Sequence, residues 1–210
     1  GTACLLRIMA LCRKHLPARI RRGGNSTPIG PGLKVLERID DTAAELAIGR
    51  AGPVGAVFFE RPGRKAEKIR SLLGAQEARR QNANAWAILL DVNGNLSEGV
   101  GSNIFLVDDG VVYTPEDRFV LCGVSRQTAI DMAEAAGIKV VRTDLDLYDA
   151  YTADEAFITS TSFCIVPVQS FNGIEVGDGT IPGPITKRLT DAYIEFVDHD
   201  FVGQYLKHLD

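Results

Sequence analysis

The sequence predicts an α+β fold, and three observations carry that expectation. Short apolar runs of strand length recur, as in Ala87-Ile88-Leu89-Leu90 and Asn103-Ile104-Phe105-Leu106-Val107. Tight-turn pairs separate them at Asn93-Gly94, Asp109-Gly110 and Asn172-Gly173. Other stretches carry apolar residues at helical spacing, the clearest being Ile69, Leu72, Leu73, Ala75 and Ala78 between Glu67 and Asn82.

In chain order, residues 1–62 read as a small N-terminal segment. Cys4–His15 has helical character, Ala18–Gly32 is a basic connector rich in Gly, Pro and Ser, and Leu33–Ile48 carries a helical stripe. Val54–Phe59 reads as a strand, and Arg61-Pro62-Gly63-Arg64-Lys65 as a linker that sets a domain boundary before residues 63–210. The helix from Glu67 ends near Arg79-Arg80, cations that suit the negative end of its dipole. Beyond the central hairpin, Val111-Val112-Tyr113 is a strand closed by Thr114-Pro115. Thr128–Ala136 is a helix stopped by Gly137, and Ile138–Val141 is a strand. Leu145–Ala153 turns into a short helix, Glu155–Ile158 and Cys164–Val168 are strands, and Ile185, Leu189, Tyr193 and Phe196 mark the apolar face of a last helix.

Composition narrows the function. With 210 residues, 45% of them hydrophobic, and a net charge of −4, the chain has core enough for one or two domains and no basic footprint for nucleic acid. No apolar stretch approaches a membrane span, and the opening apolar run precedes its charges, the reverse of a signal peptide. Cys4, Cys12, Cys122 and Cys164 lack metal spacing and read as reduced thiols of a cytoplasmic protein. His15, His199 and His208 are equally scattered, so no zinc site is expected.

Three stretches can carry chemistry. The hairpin around Asp91-Val92-Asn93-Gly94 delivers Glu98 to a bend flanked by Gly99 and Gly101, a seat for a positively charged ring atom or simply a surface carboxylate. Gly123-Val124-Ser125 lies at a helix N-terminus, where free N–H groups favour a phosphate; Ser125 can equally be a plain N-cap. Thr159-Ser160-Thr161-Ser162 ends a buried strand with four hydroxyls in a row, which is either a set of anion donors or a polar turn.

Four spaced blocks then make the chain resemble the class IV (fold-type IV) pyridoxal-phosphate aminotransferases, the group of the branched-chain and D-amino acid enzymes. They are Leu90-Asp91-x-x-Gly94-x-x-x-Glu98 continuing to Asn103-Ile104-Phe105; Thr114-Pro115 with Leu121-x-Gly123-Val124-Ser125-Arg126; Ala153-Asp154-Glu155-Ala156-Phe157 with Thr159-Ser160-Thr161; and Gly183-Pro184-Ile185-Thr186. The resemblance implies a large domain built as a pseudo-barrel of strands with flanking helices, preceded by a reduced or atypical N-terminal segment. It implies pyridoxal 5'-phosphate as cofactor, with Glu98 opposite the pyridine nitrogen and Leu121 against the ring face. Gly123, Val124, Ser125 and Thr161 would hold the phosphate, and Ser162 and Phe163 would offer backbone N–H groups to the substrate carboxylate. A homodimer is implied as well.

The family also needs a lysine that attaches to the cofactor and shuttles a proton. Spacing from Glu98 points to Lys65, with Lys68 second and outright loss third, because the Asn-Tyr pair that often follows this lysine is missing. His15-Leu16-x-x-Arg19-Ile20 is only faintly similar to the stretch that holds the family's phosphate arginine, so neither that arginine nor a specificity pocket is assigned. The implied activity is transfer of an amino group between an amino acid, branched-chain by analogy, and a 2-keto acid. The alternatives are an aminodeoxychorismate-type lyase on the same residues, or a catalytically inactive member serving as a binding module.

Overall fold

The computed structural model describes residues 54–60, 67–81 and 85–206. The expectations for Cys4–His15, Ala18–Gly32, Leu33–Ile48 and the linker that holds Lys65 lie outside the described residues. Residues 52–193 make one compact unit, and residues 194–210 belong to a second.

The elements follow as β1 (Val54–Glu60), α1 (Glu67–Gln81), β2 (Ala85–Leu90), β3 (Leu96–Gly99), β4 (Ser102–Asp108) and β5 (Val111–Pro115). A 3-10 turn (Asp117–Phe119) precedes α2 (Val124–Ala135), β6 (Val140–Thr143) and α3 (Leu147–Thr152). Then come β7 (Glu155–Ser160), β8 (Cys164–Phe171), β9 (Ile174–Glu175), α4 (Pro184–Val197) and α5 (Phe201–Leu206). The second unit is described only through the end of α4 and α5.

Pairing runs β3-β2-β1-β8-β7-β4-β5-β6, and β3 also pairs with β4. Six strands therefore close on themselves, β3-β2-β1-β8-β7-β4-β3, with β5 and β6 carried off β4 and β9 off β8. This is the barrel-like sheet the resemblance implies. β1 is parallel to both β2 and β8, whereas the hairpins β2–β3, β3–β4 and β4–β5 are antiparallel.

Strand alternation divides the sheet into two faces. On β4, Ile104 and Leu106 join Ile88, Leu90, Leu96, Ile158, Val168 and Phe171 in one buried cluster. Its alternate residues, Asn103 and Phe105, face the other way, and there Phe105 stacks on Phe157 with ring centroids 4.7 Å apart. Both faces of β4 are thus covered up to Val107. The turn into β3 is held by Asp91, whose Oδ1 accepts from the Asn93 and Asn95 N–H groups at 2.8 and 2.9 Å.

Two boundaries differ from the sequence expectation. Helix α2 starts at Val124 rather than near Thr128, and β6 is Val140–Thr143 rather than 138–141, because β6 takes its register from β5 (Val112↔Val140). On α4, Leu189 and Tyr193 are buried as expected, while Ile185 and Phe196 are half-buried.

The structure gives a physical reason for the last two sequence blocks. Buried Glu155 accepts the Ile185 and Thr186 N–H groups at 2.8 Å each, one on each carboxylate oxygen, and so caps the start of α4. A side chain at position 183 would overlap that carboxylate, so glycine is required there. Glu155→Gln leaves one acceptor for two donors. It is expected to cost about 1–3 kcal/mol, read as a lower urea midpoint at unchanged slope, without loss of the groups described next.

Candidate active site

Three adjacent strands line up the site. Asn103 on β4 sits opposite Glu98 on β3 and opposite Thr159 on β7. Directly paired residues share a face, so Glu98, Asn103 and Thr159 stand in one row, with Glu98 and Thr159 two strand spacings apart, roughly 10 Å. Asn103 and Thr159 in that row alternate with Ile104 and Ile158 and so face away from the cluster those two belong to.

The loop after the 3-10 turn closes over the row. Glu98 Oε2 accepts the Leu121 N–H at 2.7 Å, and Asn103 Nδ2 donates to the Leu121 carbonyl at 3.0 Å. The Gly123 N–H also reaches the Leu121 carbonyl, at 2.8 Å. A Cβ at position 123 would stand 2.5 Å from Asn103 Oδ1, so only glycine lets the loop come this close. The Leu121 side chain is left exposed beside the carboxylate. On the strand behind, Ser97 Oγ donates to the Phe119 carbonyl and ties the loop's other end to β3.

From this loop α2 departs with Gly123 at its N-cap and no side-chain cap. The first bond within the helix is Gln127 N–H to Gly123 O, at 3.0 Å. The N–H groups of Val124, Ser125 and Arg126 therefore point forward without an intrahelical acceptor. Ser125 does not cap the helix: it is the second helical residue, it is buried, and its Oγ has no hydrogen-bond partner among the described residues. The reading of Ser125 as an N-cap is corrected accordingly. Helix α2 packs against β7, where Thr159 Oγ1 is likewise buried and unpartnered.

Such orphaned hydroxyls are costly unless something accepts from or donates to them. A helix N-terminus lined by one of them is a seat for an anion. Opposite it, the Glu98 carboxylate suits a cationic ring nitrogen. The residues present therefore fit a phosphorylated pyridine.

The remaining sequence candidates are less tightly gathered. Thr161, Ser162 and Phe163 form the half-buried turn between β7 and β8. The Ser162 N–H already reaches Ser160 Oγ at 3.2 Å, so one of the two donors expected for a substrate carboxylate has a partner of its own. Phe163 packs edge-on against Trp86, centroids 5.1 Å apart. Lys65 lies outside the described residues, and of Lys68 only the backbone, in the first turn of α1, is described.

Sequence reasoning gave no role of their own to Asn103 or Arg126, although both stand inside the matching blocks, and it counted Thr159 only as one of four hydroxyls in a row. Arg126 is almost wholly buried and donates to Asp117 Oδ1 and the Pro115 carbonyl at 2.7 Å each, and to Thr114 Oγ1 at 3.3 Å. The signal available was an arginine at the third position of a helix, where a cation is disfavoured by the dipole and needs another reason to be there.

The model of the amino-transferase class IV family matches residues 67–171, and the chain belongs to that family. Among its relatives is a branched-chain-amino-acid aminotransferase of Pseudomonas aeruginosa, 40% identical over 129 residues, which are 61% of this chain and 41% of the relative. The Escherichia coli enzyme of the same name is 44% identical over 126 residues, 60% of this chain and 40% of that protein. The crystal structure of an Escherichia coli branched-chain amino acid aminotransferase superposes with a TM-score of 0.63 at 37% identity, covering 67% of this chain and 50% of the other. An aminotransferase from Brucella abortus bound to the cofactor PLP gives 0.61 at 28% identity, covering 70% and 54%. The matched stretch spans about two-fifths of the length of the curated relatives.

Proposed function

We propose that the chain acts as a pyridoxal-phosphate-dependent aminotransferase, moving an amino group between an amino acid and a 2-keto acid. One observation carries the reading: a carboxylate, Glu98, and a helix N-terminus with a buried unpartnered hydroxyl, Ser125, stand at two ends of one hydrogen-bonded loop. The relatives' names support the choice of chemistry, and their branched-chain type supports a branched-chain amino donor with 2-oxoglutarate as acceptor.

In this reading each residue has a task. Pyridoxal 5'-phosphate supplies an electron sink for the carbanion left when the substrate loses its Cα proton. Glu98 keeps a proton on the ring nitrogen, which strengthens that sink. Val124 and Ser125 N–H groups, the Ser125 hydroxyl and Thr161 hold the phosphate, with Gly123 permitting the approach. Leu121 covers one ring face and keeps water from it. Lys65, with Lys68 as second candidate, carries the proton from Cα, and the 162–163 backbone orients the substrate carboxylate. The domain division belongs to the reading too: residues 63–210 carry the cofactor, with β1 contributed to the sheet from residues 1–62. So do a homodimer with the site near the subunit interface and a cytoplasmic location. Among the described residues no helix is long and apolar enough to cross a membrane.

Borohydride tests the reading directly. The purified full chain should be yellow, lose that colour on reduction, and carry the label on one lysine, Lys65 by expectation. A colourless protein that takes up no added cofactor would instead make the chain a binding module. Release of pyruvate without amino exchange would make it a lyase.

A further inference from the structure

We infer that Asn103 is a positioning residue: its amide and the Glu98 carboxylate together clamp the backbone of Leu121, and the clamp sets the distance between the ring-nitrogen end and the phosphate end of the site. The inference rests on the cofactor reading for its consequence, but the clamp itself is visible without any cofactor.

The geometry is specific. The backbone of Leu121 is held on both sides of its Cα, its N–H by Glu98 Oε2 at 2.7 Å and its carbonyl by Asn103 Nδ2 at 3.0 Å. Glu98 and Asn103 are themselves a directly opposed pair on β3 and β4, so both grips come from one rigid ladder. The same carbonyl takes the Gly123 N–H at 2.8 Å, which makes residues 121–123 a three-residue turn. That turn ends at the N-cap of α2, the helix that presents Ser125. Movement of the Leu121 backbone therefore shifts the first N–H groups of α2 and turns the Glu98 carboxylate at the same time. Asn103 is buried, and its neighbour across the other ladder is Thr159, so neither the strand nor the side chain has room to compensate.

Aspartate would not do. It has the same shape, but an acceptor oxygen would then face the Leu121 carbonyl, and a second carboxylate would stand beside Glu98. A residue larger than glycine at 123 would push on Asn103 Oδ1 and open the same clamp.

Amide hydrogen exchange on the full, cofactor-free chain reads the clamp. In Asn103→Asp, Asn103→Ala and Gly123→Ala, the amides of Leu121 and Gly123 should exchange about tenfold faster, the scale of one lost hydrogen bond. Those of Ile158 and Ile130, in β7 and α2, should keep wild-type rates. Equilibrium dialysis against pyridoxal 5'-phosphate should show affinity weakened about tenfold in the same variants. Unchanged exchange at Leu121 would overturn the clamp, as would an equal rise at all four amides, which reports general loosening. Selective loosening with unaltered cofactor affinity would reduce Asn103 to a local prop and overturn its positioning role. If the wild-type chain takes up no cofactor, the functional reading fails, and a protected Leu121 amide lost in Asn103→Asp still upholds the clamp.

Discussion

Glu98→Gln is expected to lower kcat with amino acid substrates by about 10²–10³-fold, the range found for removing one group aimed at developing charge, while KM changes little. The substitution keeps an oxygen acceptor for the Leu121 N–H, so the loop over the site stays closed. What it removes is the negative charge. A carboxylate opposite a pyridine nitrogen favours the protonated ring, and each unit of pKa so gained is about 1.4 kcal/mol of preference for that form. The preference matters most when the carbanion forms, and much less when substrate merely binds, so the loss falls on kcat. Glu98→Asp separates charge from position: it keeps the charge but is too short to hold the Leu121 N–H, and should fall between Gln and wild type. Steady-state kinetics with a branched-chain donor, alongside the absorbance of bound cofactor, makes the measurement. A kcat within twofold of wild type in Glu98→Gln would mean that this carboxylate faces no ring nitrogen.

Local structure was legible in the residues because local rules decide it. The Asp91–Asn95 turn needs an Asx side chain and a glycine, and both are adjacent in sequence. Likewise β4 and β7 read as strands because their residues are apolar or β-branched over strand length. The closed ring of strands was not legible from pattern, since β1 inserts parallel between β2 and β8, a non-local choice that no spacing encodes. Only the family resemblance anticipated it. At the site, Glu98 and Val124–Ser125 stood out by residue type, whereas Asn103 did not. Its role depends on a carbonyl 18 residues away, and a buried asparagine in a strand carries no mark of its partner. The start of α2 is not marked in the sequence for a related reason: Gly123 has no capping side chain, so the usual Ser or Asp signal is missing at the N-cap and Ser125 carries it two residues late. Glu155 was read as part of a strand, and its capping of α4 spans 30 residues.

Arg126→Met should destabilise the fold by about 3 kcal/mol, summed from the loss of a buried charged donor's bonds and imperfect filling of its space. The guanidinium is almost fully buried and serves three partners on one segment: Thr114 Oγ1, the Pro115 carbonyl and Asp117 Oδ1. Methionine keeps most of the stem but none of the donors, and the Pro115 carbonyl loses its bond to the Nη2 donor. The ion pair itself is the smaller part, because the Asp117 side chain is 54% exposed and keeps water and Arg142 Nε, at 3.7 Å, when Arg126 goes. Asp117→Asn should accordingly cost under about 1 kcal/mol, the scale of an exposed pair. Arg126→Lys should rescue little, since one ammonium cannot reproduce a planar fork of donors. Arg126 follows Ser125 directly, so the same change loosens the start of α2, and affinity for pyridoxal 5'-phosphate should fall even at temperatures where the variant is fully folded. Urea unfolding of the three variants, with cofactor dialysis at low temperature, distinguishes the terms. If Asp117→Asn proved as damaging as Arg126→Met, the charge pair would be the dominant contribution, and the picture of Arg126 as a neutral-partner anchor for the β5–α2 junction would have to be given up.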